Sequence, residues 1–168
     1  MWSEEHDSFN HVYGYDLVTD SVFPISTGPG NHSSPVIDGN IVVWHDNRNG
    51  PVDIYGYDLS TGVEFPISTA SGQQLHPRVS GNLVVWEDHR NGDGSKDIYG
   101  YDLSTSTEFP ICTDAAEKGS PDISGTTVVW YDYRNGNNPD IYGANIPEPA
   151  TLSLLAIGGL AMLRRRRK

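Results

Sequence analysis

Apolar residues in the first 146 positions fall in short runs bounded by turn formers, with no stretch at helical spacing. Ile41–Trp44 and Leu83–Trp86 are continuous apolar runs, and Val128-Val129-Trp130 closes a third. Each is preceded by a Gly-containing turn (Asp38-Gly39-Asn40, Ser80-Gly81-Asn82, Ser124-Gly125-Thr126) and followed by Arg48-Asn49-Gly50, Arg90-Asn91-Gly92 or Arg134-Asn135-Gly136. Asn-Gly supplies the positive φ angles that a tight hairpin needs. The pattern therefore predicts antiparallel strands. Continuous rather than alternating apolar runs predict sheets covered on both faces.

The runs repeat. Trp44, Trp86 and Trp130 stand 42 and 44 residues apart. Asp53 to Leu59 (Asp-Ile-Tyr-Gly-Tyr-Asp-Leu) recurs as Asp97 to Leu103, more loosely as Asp140 to Ile146, and earlier as His11 to Leu17. Phe65-Pro66-Ile67-Ser68 recurs at Phe23 to Ser26 and at Phe109 to Cys112, where the proline suits an edge strand. Four antiparallel strands in about 43 residues is the size of one propeller blade. The expected fold is all-β, a β-propeller-like array of four-stranded antiparallel blades, followed by a short C-terminal hydrophobic helix. The expected organisation is an N-terminal extension at 1–10 and β-propeller repeats at 11–146. Blades fall near 11–27 (partial), 32–69, 76–113 and 120–146 (partial), and a terminal segment occupies 147–168. About thirteen strands make little more than three blades, so the array is either a small ring completed by its partial units or an arc of a longer propeller.

Composition sharpens this picture at the ends. Five of the eleven basic residues are Arg164, Arg165, Arg166, Arg167 and Lys168; the rest of the chain sets six basic residues against 22 acidic ones. A body so acidic repels phosphate backbones, so no nucleic-acid partner is expected. Residues 1–7 have neither a basic nor an apolar region and do not read as a secretory signal, which points to a start upstream of Met1. Cys112 is the single cysteine, which excludes an intrachain disulfide; it reads as a small buried strand residue in the place of Ser26 and Ser68.

Ala150–Leu163 is fourteen residues without a charge, followed by the four arginines. As a helix it spans roughly 21 Å against a hydrocarbon core of about 30 Å. Snorkelling arginine stems and Gly158-Gly159 suit a membrane helix, and the basic end would stay cytoplasmic.

Candidate chemistry is sparse. Asp46, Asp88 and Asp132 recur in register with Arg48, Arg90 and Arg134, which marks a structural clasp of aspartate on turn amides and on the arginine two residues on. The repeated tyrosine pairs, such as Tyr55 and Tyr57, read as packing between blades. Asn91, Asp93 and Asp97 are calcium candidates in an oxygen-rich loop without the full calcium-loop pattern, and hairpin chemistry accounts for them as well. No other cofactor is expected. The histidines have no metalloprotease spacing, the serines no nucleophile elbow, and no non-repeating cluster stands out, so the expectation is that the protein is not an enzyme.

Two resemblances follow. Pro, then Gly-x-x-Val-Val-Trp-x-Asp-x-Arg-Asn-Gly, then Asp-Ile-Tyr-x-Tyr-Asp-Leu-x-Thr-Gly resembles TolB-type β-propeller repeats over residues 11–146. Pro147-Glu148-Pro149, the apolar segment and the arginine cluster resemble the PEP-CTERM sorting signal. That resemblance implies an exosortase as partner, Pro147, Glu148 and Pro149 as its recognition motif, Ala150–Leu163 as membrane anchor, and Arg164, Arg165, Arg166 and Arg167 as stop-transfer charge. It implies an extracytoplasmic location, anchored at the inner membrane before sorting to the cell surface or matrix. The implied function is an exported surface or matrix protein whose propeller binds a polysaccharide or protein or serves as scaffold. The alternatives are a propeller enzyme acting on polysaccharide and a TolB-like periplasmic partner-binding protein.

Overall fold

The structure is a computed structural model that describes residues 1–92 and 96–147. Among these residues all regular structure is β, in fourteen strands that form four antiparallel meanders. The first sheet holds β1 (Trp2–His6), β2 (Phe9–Asp16) and β3 (Ser21–Ser26). The second holds β4 (His32–Asp38), β5 (Ile41–Asp46), β6 (Asp53–Asp58) and β7 (Val63–Ser68). The third holds β8 (Gln74–Ser80), β9 (Leu83–Asp88), β10 (Asp97–Asp102) and β11 (Thr107–Cys112). The fourth holds β12 (Lys118–Ser124), β13 (Thr127–Asp132) and β14 (Asp140–Asn145). The proline-bearing strands β3, β7 and β11 pair on one side only, as the missing proline N–H requires.

Residues 1–10, expected as an extension, instead supply β1 and open β2. The reason is a hidden copy of the tryptophan motif. Trp2 lies opposite Tyr13 as Trp44 lies opposite Tyr55, and its indole bonds Glu4 as the Trp44 indole bonds Asp46. A two-residue turn with positive φ at Asp7 and Ser8 joins the pair. The expected helix over 150–163 lies outside the described residues.

The sheets stack in chain order through three buried clusters. Val12, Ile25, Val42 and Trp44 join the first to the second. Val43, Ile54, Ile67, Val84 and Trp86 join the second to the third. Val85, Ile98, Cys112, Val128 and Trp130 join the third to the fourth. Consecutive residues of one strand therefore serve opposite joints: Val42 faces back and Val43 faces forward, and both are fully buried. The end sheets show the complement. Val129 and Ile141, at the places of Val43 and Ile54, are exposed at 39% and 76%. Glycine is required at Gly56 and Gly100, where a Cβ would meet the ring of Phe65 or Phe109 at 2.8 Å.

The first strands of the second, third and fourth sheets, β4, β8 and β12, are bulged. Ser34, His76 and Ser120 take φ of 53°, 55° and 47°, each just before a proline. The bulge turns the amides of His76 and Ser120 toward the preceding sheet, where side chains meet them.

Candidate functional site

The aspartates and arginines of the repeated motif form a latch at each joint. Asp46 and Asp88 have no exposed surface. Each accepts the indole N–H two residues before it, the backbone N–H two residues after it, and Nε of the arginine at 2.8 Å. Arg48 reaches on to Glu64 of its own sheet and to Ser26 of the preceding one, and Ser26 Oγ donates to Glu64 at 2.9 Å. Arg90 likewise reaches Glu108, and Ser68 Oγ of the preceding sheet donates to Glu108 at 3.0 Å. Each guanidinium also lies over a tyrosine: Arg48 on Tyr55, Arg90 on Tyr99 and Arg134 on Tyr142, at 3.9–4.4 Å. Burial would raise the Asp46 carboxyl, but the Arg48 side chain and amide and the Trp44 indole hold it below its ordinary value. The Arg134 hydrogen bond, opposed by burial, holds Asp132 at about 2. Arg134 finds Asp114 and the Cys112 sulfur where its siblings find a glutamate and a serine. The expected clasp is thus present, and it joins sheets as well as turns.

One polar cluster does not repeat. Glu87 sits between Trp86 and Asp88, where the sister motifs carry His45 and Tyr131. Its carboxylate is 2% exposed. His89 Nε2 lies at 2.8 Å, Lys96 Nζ at 3.4 Å and His76 Nδ1 at 3.5 Å, and the Ser120 amide donates at 3.2 Å. Burial pushes the Glu87 carboxyl up, but His89, Lys96, the Ser120 amide and His76 outweigh it and hold it below the ordinary range. His45 Nε2 accepts the His76 amide at 2.6 Å. Burial, with His76 and Arg78 nearby, lowers His45 to about 4, so it stays neutral at neutral pH as an acceptor must. Lys96 continues to Glu117, and Tyr131 and Tyr133 pack edge to face. The sequence showed no such cluster because His76, Glu87, His89 and Lys96 meet only when the third sheet folds, and the stacking of sheets then adds the Ser120 amide and His45. The one available signal was the divergence of the residue between Trp and Asp.

Of the calcium candidates, Asn91 donates its amide to Asp97 at 2.7 Å, and Asp97 faces the buried ammonium of Lys118 at 3.9 Å. Asp97 Oδ2 thus has a donor, while its buried Oδ1 has no hydrogen-bond partner among the described residues. Asp93 lies outside the described residues. Among the described residues no group of three or more His, Cys, Asp or Glu is arranged to hold a metal. Pro147 closes an apolar groove formed with Phe109, Pro110, Ile111, Ala144 and Ile146. Glu148, Pro149, Arg164, Arg165, Arg166 and Arg167 lie outside the described residues. No described helix is long and apolar enough to cross a membrane.

Residues 145–168 match the sequence model of the PEP-CTERM protein-sorting motif. No curated protein matches the chain in sequence. Solved structures share the fold. TolB from Acinetobacter baumannii superposes with a TM-score of 0.65 at 21% identity, over 83% of this chain and 36% of that one. The tricorn protease gives 0.64 at 18%, over 85% and 17%, and an oligogalacturonate lyase in complex with manganese gives 0.58 at 15%, over 83% and 44%. The chain thus spans less than half the length of each of these. It carries a PEP-CTERM protein-sorting motif at residues 145–168, behind antiparallel sheets of the kind found in TolB-type β-propellers.

Proposed function

We propose that the protein is exported, is held at the inner membrane by residues 150–163, and is sorted to the cell surface or matrix by an exosortase that reads Pro147, Glu148 and Pro149. The match of residues 145–168 to the sorting motif carries this reading. The order of parts supports it: a Pro-Glu-Pro motif, a run without charge, and four arginines that favour the cytoplasmic side. The sheets then act outside the cell as scaffold or binding module. Their repeated polar groups hold one sheet to the next, which supports a structural role and not a catalytic one. The test is to express the chain with and without residues 147–168 in a host carrying an exosortase. The intact chain should be processed and reach the surface, while equal release of both forms would sink the reading.

A second reading has one observation in its favour. Among the described residues the Glu87, His89, Lys96 and His76 cluster occurs once, as a catalytic site does, and structures of similar fold include oligogalacturonate lyases. In this reading the sheets act on polysaccharide. Cleavage of an acidic polysaccharide that disappears in Glu87→Gln while the fold persists would establish it.

A further inference from the structure

We propose that the joint between the first and second sheets binds a late first-row transition-metal cation, of the copper or zinc kind, through His11 Nδ1 and His32 Nε2. The inference rests on the inside of that joint and does not depend on the sorting reading.

Among the described residues, the buried side-chain atoms that lack a hydrogen-bond partner are His11 Nδ1, His32 Nε2, Gln74 Oε1 and Asp97 Oδ1. All four belong to one repeated place. The residue that opens β4, β8 or β12 is His32, Gln74 or Lys118, each without exposed surface. Across the joint, just before the Tyr-Gly pair and its preceding Val or Ile, stands His11, Asp53 or Asp97. At the third joint this place holds a positive charge. Lys118 Nζ donates to the carbonyls of Lys96 at 3.0 Å, of Ala116 at 2.7 Å and of Asp114, and it lies 3.9 Å from Asp97 Oδ1. The first joint puts two imidazoles where the third puts a carboxylate and an ammonium.

Both rings are already oriented. A carbonyl oxygen only accepts, so His11 Nε2 donates to His6 O at 3.1 Å and His32 Nδ1 donates to Ser26 O at 3.3 Å. Metal-bound histidines are held in this way, one ring N–H on a carbonyl and the other nitrogen toward the ion. The two remaining nitrogens are shielded from solvent, so whatever partners them sits inside the joint. Asp46 Oδ2 lies 3.5 Å from His32 Nε2, beyond a hydrogen bond, and already accepts from Trp44 and Arg48. The centroids of the two rings are 6.0 Å apart. Imidazoles that share one ion at about 2.0–2.1 Å from each nitrogen hold their centroids roughly 5–6.5 Å apart. His6, its side chain 64% exposed and its ring 6.0 Å from that of His11, begins the row on the solvent side. His45 and His76 also stand 5.9 Å apart, but His45 Nε2 is taken by the His76 amide. Imidazole nitrogens select copper, zinc or nickel over manganese and calcium, which favour oxygen. No third His, Cys, Asp or Glu among the described residues joins the pair, so affinity should depend on both rings.

The test uses the full chain in detergent, stripped of metal and titrated with Cu2+ under electron paramagnetic resonance and with Zn2+ in a calorimeter. The native chain should bind one Cu2+ whose spectrum shows coupling to two imidazole nitrogens, and neither Mn2+ nor Ca2+ should displace it. The double variant His11→Asp with His32→Gln copies the Asp53 and Gln74 of the second joint, so the fold has a precedent for it, as circular dichroism would check. It should bind both ions at least tenfold more weakly, while His76→Gln binds them as the native chain does. Copper bound without two imidazole nitrogens, a double variant that binds like the native chain, or an equal loss in His76→Gln would overturn the proposal and leave a bridging water between the rings. The native spectrum decides the matter even if the double variant unfolds.

Discussion

Asp88 has no exposed surface and leans on Arg90 for most of its compensation, so removing the arginine strands a buried charge. Breaking such a pair costs about 3 kcal/mol or more. Arg90→Leu should therefore lower the urea midpoint clearly, and Arg134→Leu should lower it less. Arg134 lacks the glutamate of its siblings, reaches exposed Asp114 instead, and sits in a half-covered sheet. Equal losses in the two variants would contradict the latch. A second residue-scale effect belongs to His45. Its folded value near 4 lies below the ordinary 6.5, so between these values the unfolded chain binds more protons than the folded one. Stability contributed by His45 is complete above pH 6.5 and is lost as pH falls toward 4. His45→Gln keeps an acceptor for the His76 amide and removes the titration, so its stability profile should be flatter across that window in melts from pH 7 to 4. An unchanged slope would show that His45 does not titrate there.

Within an element, the same residues decide how much could be read in advance. The Trp-x-Asp-x-Arg and Asp-Ile-Tyr-Gly-Tyr-Asp-Leu segments disclose strands, turns and joints because each copy does the same work, and the clasp follows from the two-residue spacing of Asp46 and Arg48. β1 escapes because Trp2-Ser3-Glu4 keeps the geometry with a longer acid, which removes the Trp-x-Asp signature. The Glu87 cluster escapes for another reason: His76, Glu87, His89 and Lys96 have no repeated spacing and meet only when the third sheet folds, with the Ser120 amide added across the joint to the fourth. β1 can be tested as an element. Without it the first sheet is a hairpin, and isolated two-stranded hairpins are marginal in water. Deletion of residues 1–6 should abolish hydrogen-exchange protection in β2 and β3 while the amides of β9 and β10 remain slow. Retained protection in β2 would mean that β1 contributes nothing to the first sheet.

Across the whole molecule, each sheet is held by its neighbours, as in other repeat stacks, and stability is a sum of joints more than a property of one central core. Among the described residues the two middle sheets are covered on both faces, so they should be the last to open. The joint made by Ser26, Glu64 and Arg48 is made again by Ser68, Glu108 and Arg90. Because the fitting is standard, a duplicated unit of DNA would encode a sheet already shaped for both its neighbours. Such a lineage can grow or shrink by whole modules without evolving a new contact.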